Sequence, residues 1–384
     1  MVAVVMASTC VAQAFGRFTW GVVLPGARDD LLSGSNTVAG FFGTVNVTAY
    51  LLGTLFVSWA SAKVTLVGLV RLGLTISTVC LGIASFATTA PLLGIALFGM
   101  GLGGAIIWIP APAIGARAFR PERAGVAVGL VGSGIGIGIV FAGQLATFLG
   151  RSRDAVEMWQ LVYRIEFSIA VVVFVGTFIV LKPQGQRPAA NGGFGGFGAL
   201  STVRAWIPTT VAYTAYGFAY ILVMAFLVAR LKDDAGFSSS QAALMFSLVG
   251  LAAAFGGVSL GALSDRIGRR ITLMGAFTMY ASCGLLVLTG RQPFVAIASL
   301  GIGLAFSGGP ALITGHIVAH TTSDTYGPAF AAATLSFGVA QMISPQIGGL
   351  IADLAGSFTP VFMLSAAVSM VGAAAASRLP RHRT

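Results

Sequence analysis

Charged side chains are scarce in this chain. They make up 9% of its 384 residues, whereas hydrophobic residues make up 56%. Ordinary soluble domains carry about 25% charged residues. The composition therefore excludes a typical water-soluble domain and favours a chain that crosses a membrane several times.

Cysteine is also rare, and motifs for covalent chemistry are missing from the sequence. The three cysteines, Cys10, Cys80 and Cys283, all lie in apolar stretches. That placement indicates neither a disulfide framework nor a cysteine metal site. The sequence holds no phosphate-binding loop, nucleophile elbow, metal-ligand cluster or pair of catalytic carboxylates. We therefore expect no enzyme activity, no metal and no cofactor.

Long stretches without Asp, Glu, Lys or Arg divide the chain. A spanning helix needs about 20 largely apolar residues. The stretch 72–116 is long enough for two helices with a break at residues 88–91, the first helix is predicted over Ala3 to Leu24, and the sixth must begin near Trp159. The sequence thus predicts an all-α integral membrane protein with twelve transmembrane helices. The charge-free stretches are 31–62, 72–116, 124–150, 167–181, 205–229, 235–264, 271–290, 292–323, 325–352 and 354–377.

The net charge of +11 could suggest nucleic acid, but its distribution indicates topology. With the amino terminus in the cytoplasm, fourteen Lys and Arg fall on the cytoplasmic side, seven fall outside and Arg17 lies within a span. This asymmetry follows the positive-inside rule. We expect a multi-pass protein of the bacterial inner membrane with both termini cytoplasmic and no nucleic-acid partner.

The second half of the chain repeats the first at an offset of about 200 residues. Pro91, Gly99 and Gly101 recur as Pro293, Gly301 and Gly303, and residues 15, 16 and 20 (Phe, Gly, Trp) resemble residues 216, 217 and 220 (Tyr, Gly, Tyr). Residues 183–198 between the halves are rich in Gly and Pro, as flexible linkers are. The predicted units are a six-helix bundle over 1–181, a cytoplasmic linker over 182–204 and a second six-helix bundle over 205–384.

Small residues are concentrated in the predicted fifth helix, over residues 125–138. Such a stripe permits close helix packing, and it could also slide against the other half during gating. The eleventh helix, with Gly338, Gly348 and Gly349, is the partner expected in the second half.

Arg17 is the main candidate for function, because it lies about six residues inside the predicted end of the first helix. An arginine within the membrane is costly unless it faces a wet cavity or a partner, and its planar fork suits a carboxylate. Two other interpretations remain open: pairing with Glu166, or extension of the side chain to the membrane surface. Further candidates for substrate binding are Gln13, Asn46, Trp108, Tyr216, Tyr220 and Gln341.

Two other residues are candidates for proton handling. Glu166 is the one carboxylate that the sequence places within a predicted span, and burial raises the affinity of such a group for a proton. His316 lies towards the cytoplasmic end of the predicted tenth helix, where an interfacial position is the alternative. Both residues also have purely structural interpretations.

The run Gly261-Ala-Leu-Ser-Asp265-Arg266-Ile-Gly268-Arg269-Arg270 joins two of the predicted helices as a short basic loop. It resembles the signature loop of the major facilitator superfamily. The resemblance implies two pseudo-symmetric six-helix bundles and a loop that locks the cytoplasmic side, with its acid facing the start of the fifth helix after residues 120–123. Positive charge that only sets orientation is the alternative role.

The first half departs from the family pattern, since Ser61 stands where the corresponding loop would carry an acid. The resemblance implies a secondary transporter. We expect it to carry a small organic anion, in particular a carboxylate, by alternating access, with possible proton coupling, as a monomer among membrane lipids. Efflux of amphipathic compounds, or a membrane sensor or scaffold without transport, are the alternatives.

Overall fold

A computed structural model describes residues 1–61, 63–117, 124–182 and 196–380. Over these residues the fold is all-α, and twelve helices are long and apolar enough to cross a membrane. The prediction of twelve transmembrane helices is confirmed. In chain order, α1 to α12, they are Val2–Leu31, Asn36–Ala60, Leu66–Ser85, Ala90–Ala116, Ala124–Leu149, Ala155–Val180, Trp206–Asp234, Ser239–Ile267, Arg269–Val287, Phe294–Ala319, Ser323–Ala355 and Thr359–Ala376.

Helix α1 is longer than the sequence suggests. It continues through Pro25 to Leu31, so the prediction that it ends at Leu24 is wrong. Its middle, Cys10–Phe18, is wound as a π-helix, a form that is rare and often found at functional sites. Arg17 consequently lies about 21 Å before the end of the helix at 1.5 Å per residue, rather than close to its end.

The internal repeat is visible in the packing of equivalent helices. A Cβ atom added at Gly99 of α4 would lie 2.2 Å from the Cys80 thiol of α3, and one added at Gly301 of α10 would lie 2.4 Å from the Cys283 thiol of α9. Each glycine therefore allows the same close contact in its own half. The two six-helix halves repeat one packing arrangement, as the sequence offset predicts.

The halves meet along three helix pairs, α1 with α7, α2 with α11 and α5 with α8. A Cβ atom at Gly21 would lie 2.0 Å from the Met224 carbonyl oxygen, and one at Gly40 would lie 2.2 Å from the Pro345 carbonyl oxygen. Helix α5 packs on α8, so the expectation that α11 would be its partner is wrong. Glycine is needed at these crossings because the two backbones touch.

Successive spanning helices alternate in direction, which defines two ends of the molecule. We call them the Gly34 end, after the α1–α2 turn, and the Gly268 end, after the α8–α9 turn; both glycines have positive φ, at 74° and 89°. At the Gly268 end, residues 261–267 belong to α8, residues 269 and 270 begin α9, and Gly268 alone separates the two helices. The prediction that residues 261–270 form a short loop is therefore wrong, although the basic residues do lie at a short connection between two helices.

The segment between the halves contains a short helix, Gly196–Ser201, which contacts α11. The predicted linker 182–204 is therefore partly helical. Its Gly- and Pro-rich part, 183–195, lies outside the described residues, as do residues 120–123, which the resemblance places opposite Asp265.

Candidate functional site

Arg17 lies where the two halves meet, in the middle of α1 and half-buried. One terminal nitrogen of its guanidinium donates a hydrogen bond to the Gln341 side-chain oxygen of α11 and another, of 3.3 Å, to the Tyr220 hydroxyl of α7. Tyr220 in turn donates to the same Gln341 oxygen at 2.6 Å. Three predicted site residues thus form one network that joins the first half to the second.

The charge of Arg17 is balanced by aromatic rings rather than by a carboxylate. Its guanidinium lies 4.7 Å from the Tyr50 ring centre and 5.7 Å from that of Phe18, a favourable arrangement for a cation. The described residues contain three ion pairs, and none of them includes Arg17. The alternative in which Arg17 pairs with Glu166 is therefore wrong in this conformation, as is extension to the membrane surface.

Three tyrosines of α7 share one aromatic face. The rings of Tyr213, Tyr216 and Tyr220 all stack on Phe337 of α11, with centre distances of 4.4, 5.9 and 6.1 Å. The Tyr216 hydroxyl donates to the Phe306 carbonyl oxygen. Tyr216 therefore supports the position of Tyr220 from behind, and its own hydroxyl is already used.

Asn46 and Gln13 lie close to Arg17 but in different states. Asn46 is buried and donates to the carbonyl oxygens of Gly16, at 3.0 Å, and Leu97, at 2.7 Å, so it ties α2 to α1 and α4. Gln13 is buried, and its amide nitrogen has no hydrogen-bond partner among the described residues. The Gln13 side chain lies beside the Tyr50 hydroxyl, one turn from Arg17.

A small cavity lies beside Arg17 between α1, α2, α7 and α11. Its volume is about 20 Å³, room for one water-sized group. Arg17, Trp20 and Asn46 contribute to its wall, and the remainder is glycine and apolar side chains. Trp108, the last residue of the first segment of α4, does not line this cavity.

Glu166 is fully buried within the first half. One carboxylate oxygen accepts a 2.6 Å hydrogen bond from the Thr19 hydroxyl. The other oxygen has no partner among the described residues, and neither has the hydroxyl of Tyr163, one turn away on α6. Through Thr19 this carboxyl group is connected to α1 two residues beyond Arg17.

The other charged candidates have ordinary structural contacts. Arg164 donates to the Ser85 carbonyl oxygen at 3.2 Å and lies 4.7 Å from the Phe86 ring centre. His316 is buried, with a ring nitrogen 3.0 Å from the Arg204 carbonyl oxygen. It is thus buried within the protein, and its recorded contacts are with Arg204 and His320 rather than with the network around Arg17.

The predicted gating residues lie at the Gly268 end. Asp265 and Arg266 are exposed on the last turn of α8, whereas Arg269 and Arg270 are half-buried at the start of α9. Asp265 forms no ion pair with any residue that the structure describes. Gly261 lies one turn or more before Asp265 on α8, and a Cβ atom added there would meet nothing within 4 Å.

Some residues of the site were not foreseen. Tyr50 and Phe337 were each one aromatic residue among many in apolar runs, and Trp20 was noted only as the counterpart of Tyr220 in the repeat. Asp353 was also missed, because an acid at a helix end is common. Only contacts between distant helices bring these side chains to the interface.

The network can perform one kind of chemistry. A guanidinium held at mid-membrane by neutral partners from the opposite half can exchange those partners for the oxygens of an anion. Such exchange would break or rebuild a contact between the halves. The fold and this site define a membrane transporter of the major facilitator type, built of two six-helix halves that contact each other around a central polar network.

The sequence comparison agrees with this class. The model of the family described as "Uncharacterised MFS-type transporter YbfB" matches residues 9–377. The chain belongs to this family of the major facilitator superfamily. It is therefore a transporter and not an enzyme.

Two curated relatives are transporters. One is the "Probable sulfoacetate transporter SauU" of Cupriavidus necator, 29% identical over 181 residues, or 45% of this chain and 42% of that protein. The other is the "Sialic acid transporter NanX" of Escherichia coli, 26% identical over 144 residues, or 37% of this chain and 34% of that protein. The alignments thus span less than half the length of these relatives.

Solved structures share the fold over nearly the whole chain. A D-xylose-proton symporter superposes with a TM-score of 0.76 at 15% identity, covering 99% of this chain and 97% of that one. A bacterial homologue of the human lysosomal transporter Spinster, in an inward-facing and unoccupied conformation, gives 0.72 at 17% identity, covering 98% and 93%. At these identities the likeness establishes the fold alone.

Proposed function

We propose that this protein moves a small organic anion with a carboxylate or sulfonate group across the membrane by alternating access. One observation carries the proposal: the Arg17 guanidinium is held at mid-membrane by Gln341 and Tyr220, both neutral and both from the opposite half. A cation without a counter-charge in the membrane interior is costly, by about 2.5–3.5 kcal/mol on insertion scales. An anion that binds there supplies the missing counter-charge and so offsets this cost.

The relatives support the same chemical class. The substrates named for them, sulfoacetate and sialic acid, are organic anions. Arginine presents two parallel N–H groups to a carboxylate or sulfonate, which lysine cannot do. Gln341 and Tyr220 would then release the guanidinium to the anion and contact the remainder of the solute.

The test is a thermal-shift screen of the purified protein against carboxylates and sulfonates, followed by uptake of each stabilising compound into proteoliposomes. We expect Arg17→Gln to lower uptake about 100-fold, as the loss of a charged hydrogen-bonding pair of about 3 kcal/mol implies, and Arg17→Lys to recover only a small part. The matched control is Arg164→Gln, an arginine within α6 whose contacts are with Ser85 and Phe86.

Full uptake by Arg17→Gln would refute the anion proposal. Stabilisation by amphipathic cations or neutral drugs, with export from loaded vesicles, would favour efflux instead.

We further propose that transport is coupled to protons through Glu166. It is the fully buried carboxyl group that connects to α1 next to Arg17 through Thr19. Glu166→Gln is expected to abolish uptake driven by a pH gradient and to preserve counterflow exchange. Loss of both activities would indicate a structural role, and His316→Gln is the comparison for the alternative site.

The expected topology completes the proposal: a monomer in the bacterial inner membrane, halves divided at residues 182–204, and both termini and the Gly268 end in the cytoplasm. The helix-terminal residues Asp265, Arg266, Arg269 and Arg270, with Gly261 and Gly268, would then close the cytoplasmic end in the alternative conformation. Reporter fusions after residue 34 and residue 268 test the orientation.

A further inference from the structure

The cavity beside Arg17 contains a second unused donor. Trp20 lies one helical turn after Arg17 on α1, with 4% of its surface exposed, and it lines the same cavity. Its indole nitrogen has no hydrogen-bond partner among the described residues, and the Arg17 Nε is in the same condition. An indole N–H is a donor only, and a buried one normally has a partner.

A second buried tryptophan provides the comparison within the same fold. Trp159 of α6 is fully buried, and its indole nitrogen donates to Asp30 at 3.0 Å. A buried indole that does not line this cavity thus has a hydrogen-bond partner. The unpaired indole of Trp20 is next to the cavity and next to the cation.

Gly43 of α2 lines the cavity in front of the Trp20 indole. A Cβ atom added at Gly43 would lie 3.9 Å from the Trp20 indole nitrogen and 3.0 Å from the Pro345 Cβ atom. The backbone at Gly43 does not have positive φ, so no turn requires a glycine there. The glycine serves the close crossing of α2 and α11, and any side chain there would narrow the cavity beside the indole.

We propose that Trp20 is a second anchor for the transported anion and determines its selectivity. This inference rests on the proposed function of Arg17. The indole N–H and the Arg17 Nε–H would together bind oxygen of the carboxylate or sulfonate, which has acceptor sites and no donor. Arg17 provides the charge, and Trp20 provides a directed N–H donor that favours an acceptor oxygen over a group that can only donate.

The location of the cavity gives Trp20 a role in closure as well. Helices α1 and α2 of the first half and α7 and α11 of the second half form the walls. An oxygen bound there would contact both halves on the Gly34 side of Arg17. On this side, the bound anion would therefore take the place of Gln341 and Tyr220, which contact Arg17 in the structure.

The test measures binding of sulfoacetate, sialic acid and acetate to the purified protein by the concentration dependence of its melting temperature. Trp20→Phe retains an aromatic ring and removes the N–H group. We expect it to raise the apparent Kd at least tenfold while the melting temperature without anion stays within 2 °C of the original. The matched control is Trp59→Phe, since that indole is 60% exposed and distant from the cavity.

Gly43→Ala is the second variant, in case Trp20→Phe fails to fold. It leaves the indole intact and fills the space in front of it, so it should also raise the apparent Kd. Unchanged Kd in Trp20→Phe, with binding lost in Arg17→Gln, would overturn the Trp20 assignment and leave the anion site intact. Unchanged Kd in Arg17→Gln as well, or no stabilisation of the original protein by any of the three anions, would overturn both.

Discussion

The Gly34 end and the Gly268 end differ in how the two halves meet. At the Gly34 end, Asp353 at the end of α11 accepts hydrogen bonds from the first turn of α2: from the backbone nitrogens of Asn36 and Thr37 at 3.0 and 2.7 Å, and from the hydroxyls of Ser35 and Thr37 at 3.1 and 2.6 Å. A carboxylate is favoured at a helix amino terminus by the backbone dipole. Here the helix and its acid belong to opposite halves.

A second polar connection crosses the halves at the same end. Arg28 of α1 forms an ion pair with Asp233 of α7 at 2.5 Å and also donates to Asn36 at 2.8 Å. Asp234, the next residue, accepts from the Phe358 backbone nitrogen at 2.7 Å within the second half. Charged residues near the ends of the helices thus connect the two halves at this end.

The distance between helices α5 and α8 differs between the two ends of the molecule. Gly136 and Gly143 of α5, and Gly150 directly after its end, follow at seven-residue spacing, and each would place an added Cβ atom within 3 Å of α8. Towards the Gly268 end, a Cβ atom added at Gly129 or Gly132 would meet nothing within 4 Å. Over the described residues, α5 and α8 are therefore in contact towards the Gly34 end and apart towards the Gly268 end, as one state of alternating access requires. Arg17 lies near the level at which the close contact between α5 and α8 ends.

The strongest way to break this difference is a large side chain in the α5–α8 contact. A Cβ atom at Gly143 would lie 2.3 Å from the Ser247 hydroxyl and 3.0 Å from the Ala243 carbonyl oxygen. Overpacking of this kind costs about 1–3 kcal/mol or more. Gly143→Leu should lower the melting temperature of the purified protein by several degrees, whereas Gly129→Leu on the same helix, where an added Cβ atom meets nothing within 4 Å, should lower it little. Equal losses in the two variants would refute the one-sided contact.

Removal of the Asp353 carboxylate should have the next largest effect. Hydrogen bonds to a charged acceptor are worth about 1.5–3 kcal/mol each. Asp353→Asn weakens these bonds, although the amide has the same shape and keeps part of their free energy. We expect labelling of a cysteine at Val47, which lines the cavity, by a membrane-impermeant thiol reagent at the Gly34 side to become about tenfold faster.

Labelling is measured in a variant without the three native cysteines. Asp154→Asn is the control, since Asp154 caps α6 at the same end through the Glu157 backbone nitrogen within one half. Faster labelling in both variants would mean that loss of any cap at this end loosens the protein.

The ion pair between Arg28 and Asp233 should contribute less, because Asp233 is partly exposed and water screens the interaction. In a double-mutant cycle with Arg28→Gln and Asp233→Asn, we expect a coupling of about 1 kcal/mol in the labelling rate of the same cysteine. The pair formed by Arg230 and Asp234, 3.6 Å apart within α7, is the comparison. If the coupling between Arg230 and Asp234 were equally large, the ion pair between Arg28 and Asp233 would have no special role in joining the halves.

Substitution of Asp265 at the Gly268 end should have the smallest effect on stability. It is exposed and forms no ion pair among the described residues. Asp265→Asn should change the melting temperature by less than about 1 °C, as expected for a surface charge. If Asp265 locks the opposite state, uptake should still fall severalfold. A large drop in melting temperature, or unchanged uptake, would contradict this division between stability and transport.

Sequence reasoning succeeded where the relevant free energies are local. The twelve spans follow from long runs of apolar residues, and the repeat follows from prolines and glycines at a constant offset. Arg17, Tyr220 and Gln341 could be selected because polar groups within apolar runs are costly. It failed at the end of α1, since Pro25 is accommodated within the helix, and at residues 261–267, where charged residues continue α8 beyond its apolar part.

The amino-acid sequence by itself determined that this chain spans the membrane twelve times in two related halves and carries a cation at depth, because burial of apolar residues and the cost of charge depend on residue type and run length. Only the tertiary structure decided which groups meet that cation, which end of the molecule is closed, and which helix Asp353 caps. Those contacts join residues more than 200 positions apart, and they depend on interhelical distances of a few ångströms that no local pattern encodes.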